Sequence, residues 1–77
     1  MRCAIVTRAG QVMAKGTLVV RADDSGIMRL NFHTNSGRWI EGGQIPGDGD
    51  LTDALEGLFR QCFEVWGMTG LKLTVSN

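Results

Sequence analysis

The segment Ile27–Thr34, with the sequence IMRLNFHT, alternates apolar and polar side chains with a period of two. Met28, Leu30 and Phe32 lie on one side of the predicted strand. Arg29, Asn31 and His33 lie on the other side, together with Ile27. A period of two is typical of an antiparallel strand with one face on the core and one in solvent. We therefore predict a strand here, and with it a sheet that keeps one open, polar face.

Other segments of the chain have the composition of strands and are separated by turns that contain glycine, asparagine or aspartate. They are Cys3–Thr7, Val12–Arg21, Arg38–Glu41 and Leu71–Val75. β-Branched and aromatic residues between such turn residues favour strands. Gly42 and Gly43 either end the fourth strand or form a bulge in it. The last strand pairs inside the sheet, at its edge or with another chain.

Between the fourth and fifth strands, the segment Leu51–Trp66 carries apolar residues at intervals of three and four. This spacing predicts an amphipathic helix of about four turns. Asp50 has the character of its N-cap, and Gly67 that of the residue that ends it. Gly57 lies on the polar side, although glycine costs about 1 kcal/mol relative to alanine inside a helix. We interpret it as a point where a partner's backbone approaches closely.

The predicted fold class is therefore α+β, with the element order ββββαβ. A single domain covering residues 1–77 consists of an antiparallel β-meander of four to five strands packed on one α-helix. A chain of 77 residues has room for one modest core. No apolar run approaches the roughly 18–20 residues of a membrane span. The N-terminal apolar stretch ends at Thr7-Arg8, which is too early for a signal peptide. We predict a cytoplasmic protein without membrane contact.

The sequence holds no convincing set of catalytic, metal-binding or cofactor-binding residues. The two cysteines, Cys3 and Cys62, are predicted to be buried thiols, since the cytosol keeps thiols reduced. Cys62 lies on the apolar side of the helix and His33 on the polar side of its strand, so the two face opposite ways. That arrangement disfavours both a metal site and a Cys–His catalytic pair. We predict a non-enzymatic protein with no metal and no cofactor.

The charged residues are distributed unevenly, although eight basic and eight acidic residues give a net charge of zero. Residues 1–40 hold six basic and two acidic side chains, and residues 41–77 hold two basic and six acidic ones. We expect Arg21, Arg29 and Arg38 to share the open sheet face with Asn31 and His33. The acidic residues are expected to gather in the loop before the helix and in its first turns. Trp39 joins the open face if Ile40 points inward, and belongs to the core if Ile40 points outward. Exposed tryptophan and arginine dominate many interfaces, so we predict a partner-binding set of Arg21, Arg29, Arg38, Trp39, Asp48, Asp50, Asp53 and Glu56.

In size and layout the chain resembles small phage-encoded inhibitors of the anti-CRISPR kind. The features that carry the resemblance are the compact strand meander, the helix Leu51–Trp66 and an acidic stretch made of Glu41, Asp48, Asp50, Asp53 and Glu56. The resemblance implies a protein partner, such as a nucleoprotein complex, whose basic nucleic-acid-binding surface the acidic stretch occludes.

Two alternatives remain open at this point. A small nucleic-acid-binding domain would use the basic sheet face, with Trp39 stacking on a base. A structural homodimer would close through the last strand or the helix.

Overall fold

A computed structural model describes residues 1–75 and contains five strands and one helix. The strands are β1 (Arg2–Val6), β2 (Val12–Ala22), β3 (Met28–Thr34), β4 (Trp39–Gln44) and β5 (Lys72–Val75), and the helix is α1 (Thr52–Trp66). The element order ββββαβ and the α+β class are those predicted. The five strands form one antiparallel sheet in the order β4-β3-β2-β1-β5. The last strand lies at an edge, paired with β1.

The core lies on the side of the sheet that faces α1. Leu18, Phe32 and Ile40 are directly opposite one another on β2, β3 and β4, and all three are buried. From the helix, Ala54, Leu58 and Cys62 pack against them, each without exposed surface. The alternation in Ile27–Thr34 is thus confirmed for its central apolar residues, and the spacing in the helix is confirmed for the residues that touch the sheet.

Two residues of β3 depart from the predicted alternation. Met28 begins the strand and is exposed, because it lies at the end of the sheet rather than over its centre. Asn31 was expected on the solvated face but is only 6% exposed. It lies directly opposite Val19 on one side and Glu41 on the other, so its neighbours in the sheet cover it. Its Nδ2 atom donates to the backbone oxygen of Arg29 at 3.2 Å.

The helix packs on β4 at three glycines. Between the pairs Asn31–Glu41 and Arg29–Gln44, β4 contains one residue more than β3, so Gly42 and Gly43 form a bulge and the strand continues to Gln44. A Cβ atom on Gly57 would lie 2.8 Å from Gly43 N and 2.9 Å from Gly43 Cα. Contact within the chain therefore explains Gly57, and its interpretation as a contact with a partner's backbone is wrong.

The helix begins one residue later than predicted and ends where predicted. The helix begins at Thr52 after the N-cap residue Leu51, whose side chain forms no capping hydrogen bond. Asp50 was expected at the N-cap, but it lies one residue earlier and accepts hydrogen bonds from Thr52 N at 2.9 Å and Thr52 Oγ1 at 2.7 Å. Gly67 ends the helix in the left-handed conformation (φ 67°), and its N–H donates to Phe63 O.

Candidate functional site

Trp39 lies on the open face of the sheet, the face opposite α1. Neighbouring residues of a strand point to opposite faces, and Ile40 is buried on the helix side. Trp39 therefore points away from the core, and 46% of its surface is exposed. Of the two orientations that the sequence left open, the outward one is found.

Two other side chains contact the indole ring of Trp39. His33 lies directly opposite on β3, and its ring stacks on the indole with 4.2 Å between centroids and 21° between planes. The guanidinium carbon of Arg21, two strands away on β2, lies 4.1 Å from the ring centroid. A guanidinium at this distance is attracted by the ring's electrons, by about 0.5–1 kcal/mol at an exposed site. Both contacts hold the exposed indole in one orientation.

Arg29 lies opposite Arg21 in the sheet and is held by two carboxylates. Its Nε atom is 2.8 Å from Asp23 Oδ2 and 3.4 Å from Glu41 Oε1. Asp23 also accepts hydrogen bonds from the Ser25 hydroxyl and from the backbone N–H groups of Ser25 and Ile27. The Ser25 hydroxyl, and after it Arg29, hold the pKa of Asp23 well below its ordinary value, and the Asp23 carboxylate in turn raises the pKa of Arg29.

The open face around Trp39 is mixed in charge rather than basic. A shallow depression of about 370 Å³ is lined there by Arg21, Ala22, Asp23, Asp24, Arg29, Asn31, Trp39 and Glu41. These residues include two cations and three anions. Glu41, which the sequence groups with the acids near the helix, in fact lies beside Arg29 on the sheet. We call Arg21, Arg29, His33, Trp39 and Glu41 the Trp39 cluster.

Arg38 does not belong to the Trp39 cluster, although it was expected on the open face with Arg21 and Arg29. It lies in the turn before β4, where its backbone oxygen accepts a hydrogen bond from Thr34 N and its N–H donates to Thr34 Oγ1. The alternation of β4 puts Arg38 on the side of Ile40, not on that of Trp39.

The four predicted acidic contact residues lie apart from the Trp39 cluster, on the loop before α1 and on the exposed side of its first turns. Asp48 accepts a hydrogen bond from Asp50 N, and its neighbour Asp50 accepts the two bonds from Thr52. These bonds, that from Thr52 N first, lower the pKa of Asp50. Asp53 is exposed in the first turn, and Glu56 Oε1 is 3.7 Å from Arg60 Nη2. Apart from Arg38, which belongs to neither, the predicted contact residues thus form two groups on different sides of the sheet.

Both cysteines are buried free thiols, as predicted. Burial raises the pKa of Cys62 to about 11 and also raises that of Cys3. A thiol that stays protonated is a poor nucleophile and a poor metal ligand. Among residues 1–75, no group of three or more His, Cys, Asp and Glu side chains is placed to hold a metal ion. The same part of the chain has no helix with the length and apolarity that crossing a membrane requires.

The sequence interpretation missed the ion pair of Arg29 with Asp23 and the stack of His33 on Trp39. The signal for the first was present, because Asp23 and Arg29 flank the turn residues of one hairpin. A signal for the second was present too, because the short turn between β3 and β4 fixes their register and sets His33 opposite Trp39. No protein-family model, no curated protein and no solved structure matches the chain.

Proposed function

We propose that the protein is a non-enzymatic module that binds a protein partner through the Trp39 cluster. The observation that carries this proposal is the half-exposed indole of Trp39, held in place by His33 and Arg21. Tryptophan and arginine are the residue types that most often carry interface energy. A side chain that is already ordered loses less entropy on binding, which leaves more of the contact energy for affinity.

The same geometry favours a protein partner over a nucleic acid. The ring that would stack on a base already contacts His33 and Arg21. Arg29, the other cation of the cluster, lies between Asp23 and Glu41. Phosphate binding relies on cations that are free to replace counterions, and the depression beside Trp39 is lined by three anions and two cations.

The acidic residues before and at the start of α1 support a basic binding surface on the partner. Asp48, Asp50, Asp53 and Glu56 are all exposed, and the segment Glu41–Phe59 contains no basic residue. Complementary charge steers partners together and selects among them. More specifically, we propose that the protein is an inhibitor that occludes the nucleic-acid-binding surface of a larger complex. This proposal agrees with the resemblance to small phage-encoded inhibitors.

Capture of the partner with two matched variants tests the proposal. The protein and its Trp39→Ala and Phe63→Ala variants serve as baits in lysate of the source cells, and bound proteins are identified by mass spectrometry. Phe63 is the matched control, since it is an aromatic residue of similar exposure (48%) on the helix. We expect a protein that binds the wild type and Phe63→Ala but not Trp39→Ala. A partner that binds all three equally would contradict the proposal.

A second pair of measurements tests the kind of partner. Replacing Asp48, Asp50 and Asp53 by lysine is expected to weaken binding of the captured protein, and unchanged binding would remove the acidic-surface part of the proposal. Mobility-shift titrations at low salt with single- and double-stranded DNA and RNA are expected to show no complex. A complex that weakens steeply with added salt would instead favour the nucleic-acid alternative.

A further inference from the structure

β4 is an edge strand, and its outer side runs between the two groups of predicted contact residues. It pairs with β3 alone among the strands of residues 1–75. Trp39 and Glu41 project from it to the open face, whereas α1, with Asp53 and Glu56, packs on its other face. A partner that touches both groups therefore passes along the outer edge of β4.

The backbone groups of Trp39 and Glu41 point outward from this edge. In an antiparallel ladder, alternate residues direct both N–H and C=O to the same neighbour. Thr34 N donates to Arg38 O at one end of the β3–β4 pair, and Ile45 N donates to Met28 O at the other. Ile40 therefore faces β3, and Trp39 and Glu41 face away from it. Such outward groups are a template for an added strand.

A groove runs beside this edge, where the bulge of β4 meets the helix. The sheet contributes Gly42 and Gly43 with Glu41 and Arg29, and the helix contributes Gly57, which touches Gly43, with Arg60 and Gln61. The space has a volume of about 380 Å³. An added strand would thus lie against the edge of β4 and under the flank of the helix.

We propose that this edge binds an extended segment of a protein partner that carries a basic side chain, paired with β4 as a sixth strand. The inference rests on the proposed function and specifies the form of the partner. The groove is lined by two arginines, Arg29 and Arg60, which already pair with Asp23 and Glu56, and by one carboxylate, Glu41. The Glu41 side chain is 61% exposed on the edge strand itself, so it is the charged group that an added strand meets first. A side chain directly opposite Glu41 in a paired strand lies about 4.5–5.5 Å away, within reach of an ion pair with a lysine.

Within residues 1–75, the other edge of the sheet is formed by a shorter strand. β5 is four residues long, against six for β4. It also carries an exposed lysine, Lys72, and lysine on an edge discourages pairing with further strands. We therefore place the added strand at β4.

Nuclear magnetic resonance of the ¹⁵N-labelled 77-residue chain tests the proposal with synthetic peptides. The probe is a blocked six-residue peptide of alternating threonine and lysine. One control carries glutamate in place of lysine, and another carries N-methyl groups on the residues that would pair with β4. We expect the lysine peptide to shift the amide signals of Trp39 and Glu41 and to slow their hydrogen exchange. The glutamate peptide is expected to bind several-fold more weakly, and N-methylation to weaken binding at least tenfold.

Changing the charge of Glu41 checks whether this residue causes the preference for the lysine peptide. Glu41→Lys is expected to reverse the preference so that the glutamate peptide binds better, and Glu41→Gln, which preserves the shape, to abolish it. Glu64→Lys makes the same change of charge at an exposed residue that does not line the groove, and it is expected to leave the preference as it is.

Three results would overturn the inference. They are absence of shifts at Trp39 and Glu41 at millimolar peptide, equal binding of the N-methylated peptide, and shifts that follow protein concentration without peptide. The last would mean that a second copy of the chain occupies the edge. The proposed function fails separately, when Trp39→Ala retains the captured partner. If the partner needs Trp39 but does not need the outer edge of β4, the proposed function stands and the added strand does not.

Discussion

On the helix side of the sheet Phe32 has no exposed surface, whereas on the opposite side Trp39 keeps 46% of its surface exposed, although the two lie on neighbouring strands. Phe32 is surrounded by Leu18, Ile40 and the apolar residues of α1. Trp39 contacts a histidine and an arginine instead. Both are large aromatic residues, but their surroundings differ. Phe32 stabilises the fold, whereas Trp39 is available to a partner.

The largest expected effect comes from removing the buried aromatic side chain. Phe32→Ala is expected to lower the free energy of unfolding by about 3–5 kcal/mol, because it leaves a cavity in a closely packed core. Trp39→Ala is expected to lower it by about 1–2 kcal/mol, the scale of a cation–π contact and an aromatic stack together. Urea denaturation followed by circular dichroism gives both values. Equal losses for the two variants would contradict the distinction between the two faces.

The glycine contact between α1 and β4 should have the next largest effect on stability. Gly57→Ala is expected to destabilise the protein by about 1–3 kcal/mol, because the new Cβ atom overlaps Gly43. The helix propensity of alanine acts in the opposite direction by about 1 kcal/mol. Gly47→Ala is the matched control, since a Cβ atom there meets nothing within 4 Å. A rise in stability for Gly57→Ala, measured by the same urea titration, would show that the helix is not held at this contact.

A third prediction concerns how Asp23, on the open face, makes the free energy of unfolding depend on pH. The pKa of Asp23 is lowered in the folded state from its ordinary value of 3.8, chiefly by the Ser25 hydroxyl and Arg29. The stabilising contribution of Asp23 is therefore present above pH 3.8 and is lost as the pH falls below that value. In urea titrations between pH 6 and pH 2, the decline in stability is expected to be shallower for Asp23→Asn, and intermediate for Ser25→Ala. Parallel profiles for the wild type and Asp23→Asn would contradict this assignment.

Local patterns were sufficient for the centre of the helix side of the sheet, although not for Met28 at its end. The period of two in Ile27–Thr34 identified Leu30 and Phe32 as core residues, and the spacing in α1 identified Leu58 and Cys62. Burial of apolar side chains follows from such periods because each element has to turn one face to the core. The same periods cannot say where α1 rests, since its contact at Gly43 and Gly57 joins segments that are distant in sequence.

The open face was harder to predict because its contacts connect different strands. Trp39 and Ile40 are adjacent apolar residues, so the sequence left open which of them points inward. Once Ile40 is placed in the core, alternation also puts Arg38 on the helix side, and the expected trio of arginines is reduced to Arg21 and Arg29. The Trp39 cluster itself depends on the alignment of β2, β3 and β4.

The central claim is that Trp39 serves binding rather than folding, and its affinity for the captured partner tests this claim most directly. Isothermal titration of the partner with the wild type, Trp39→Ala and Phe63→Ala gives three dissociation constants under the same conditions. We expect Trp39→Ala to weaken binding at least tenfold while its free energy of unfolding changes by about 1–2 kcal/mol. Phe63→Ala is expected to bind like the wild type. Wild-type affinity in Trp39→Ala would contradict the account.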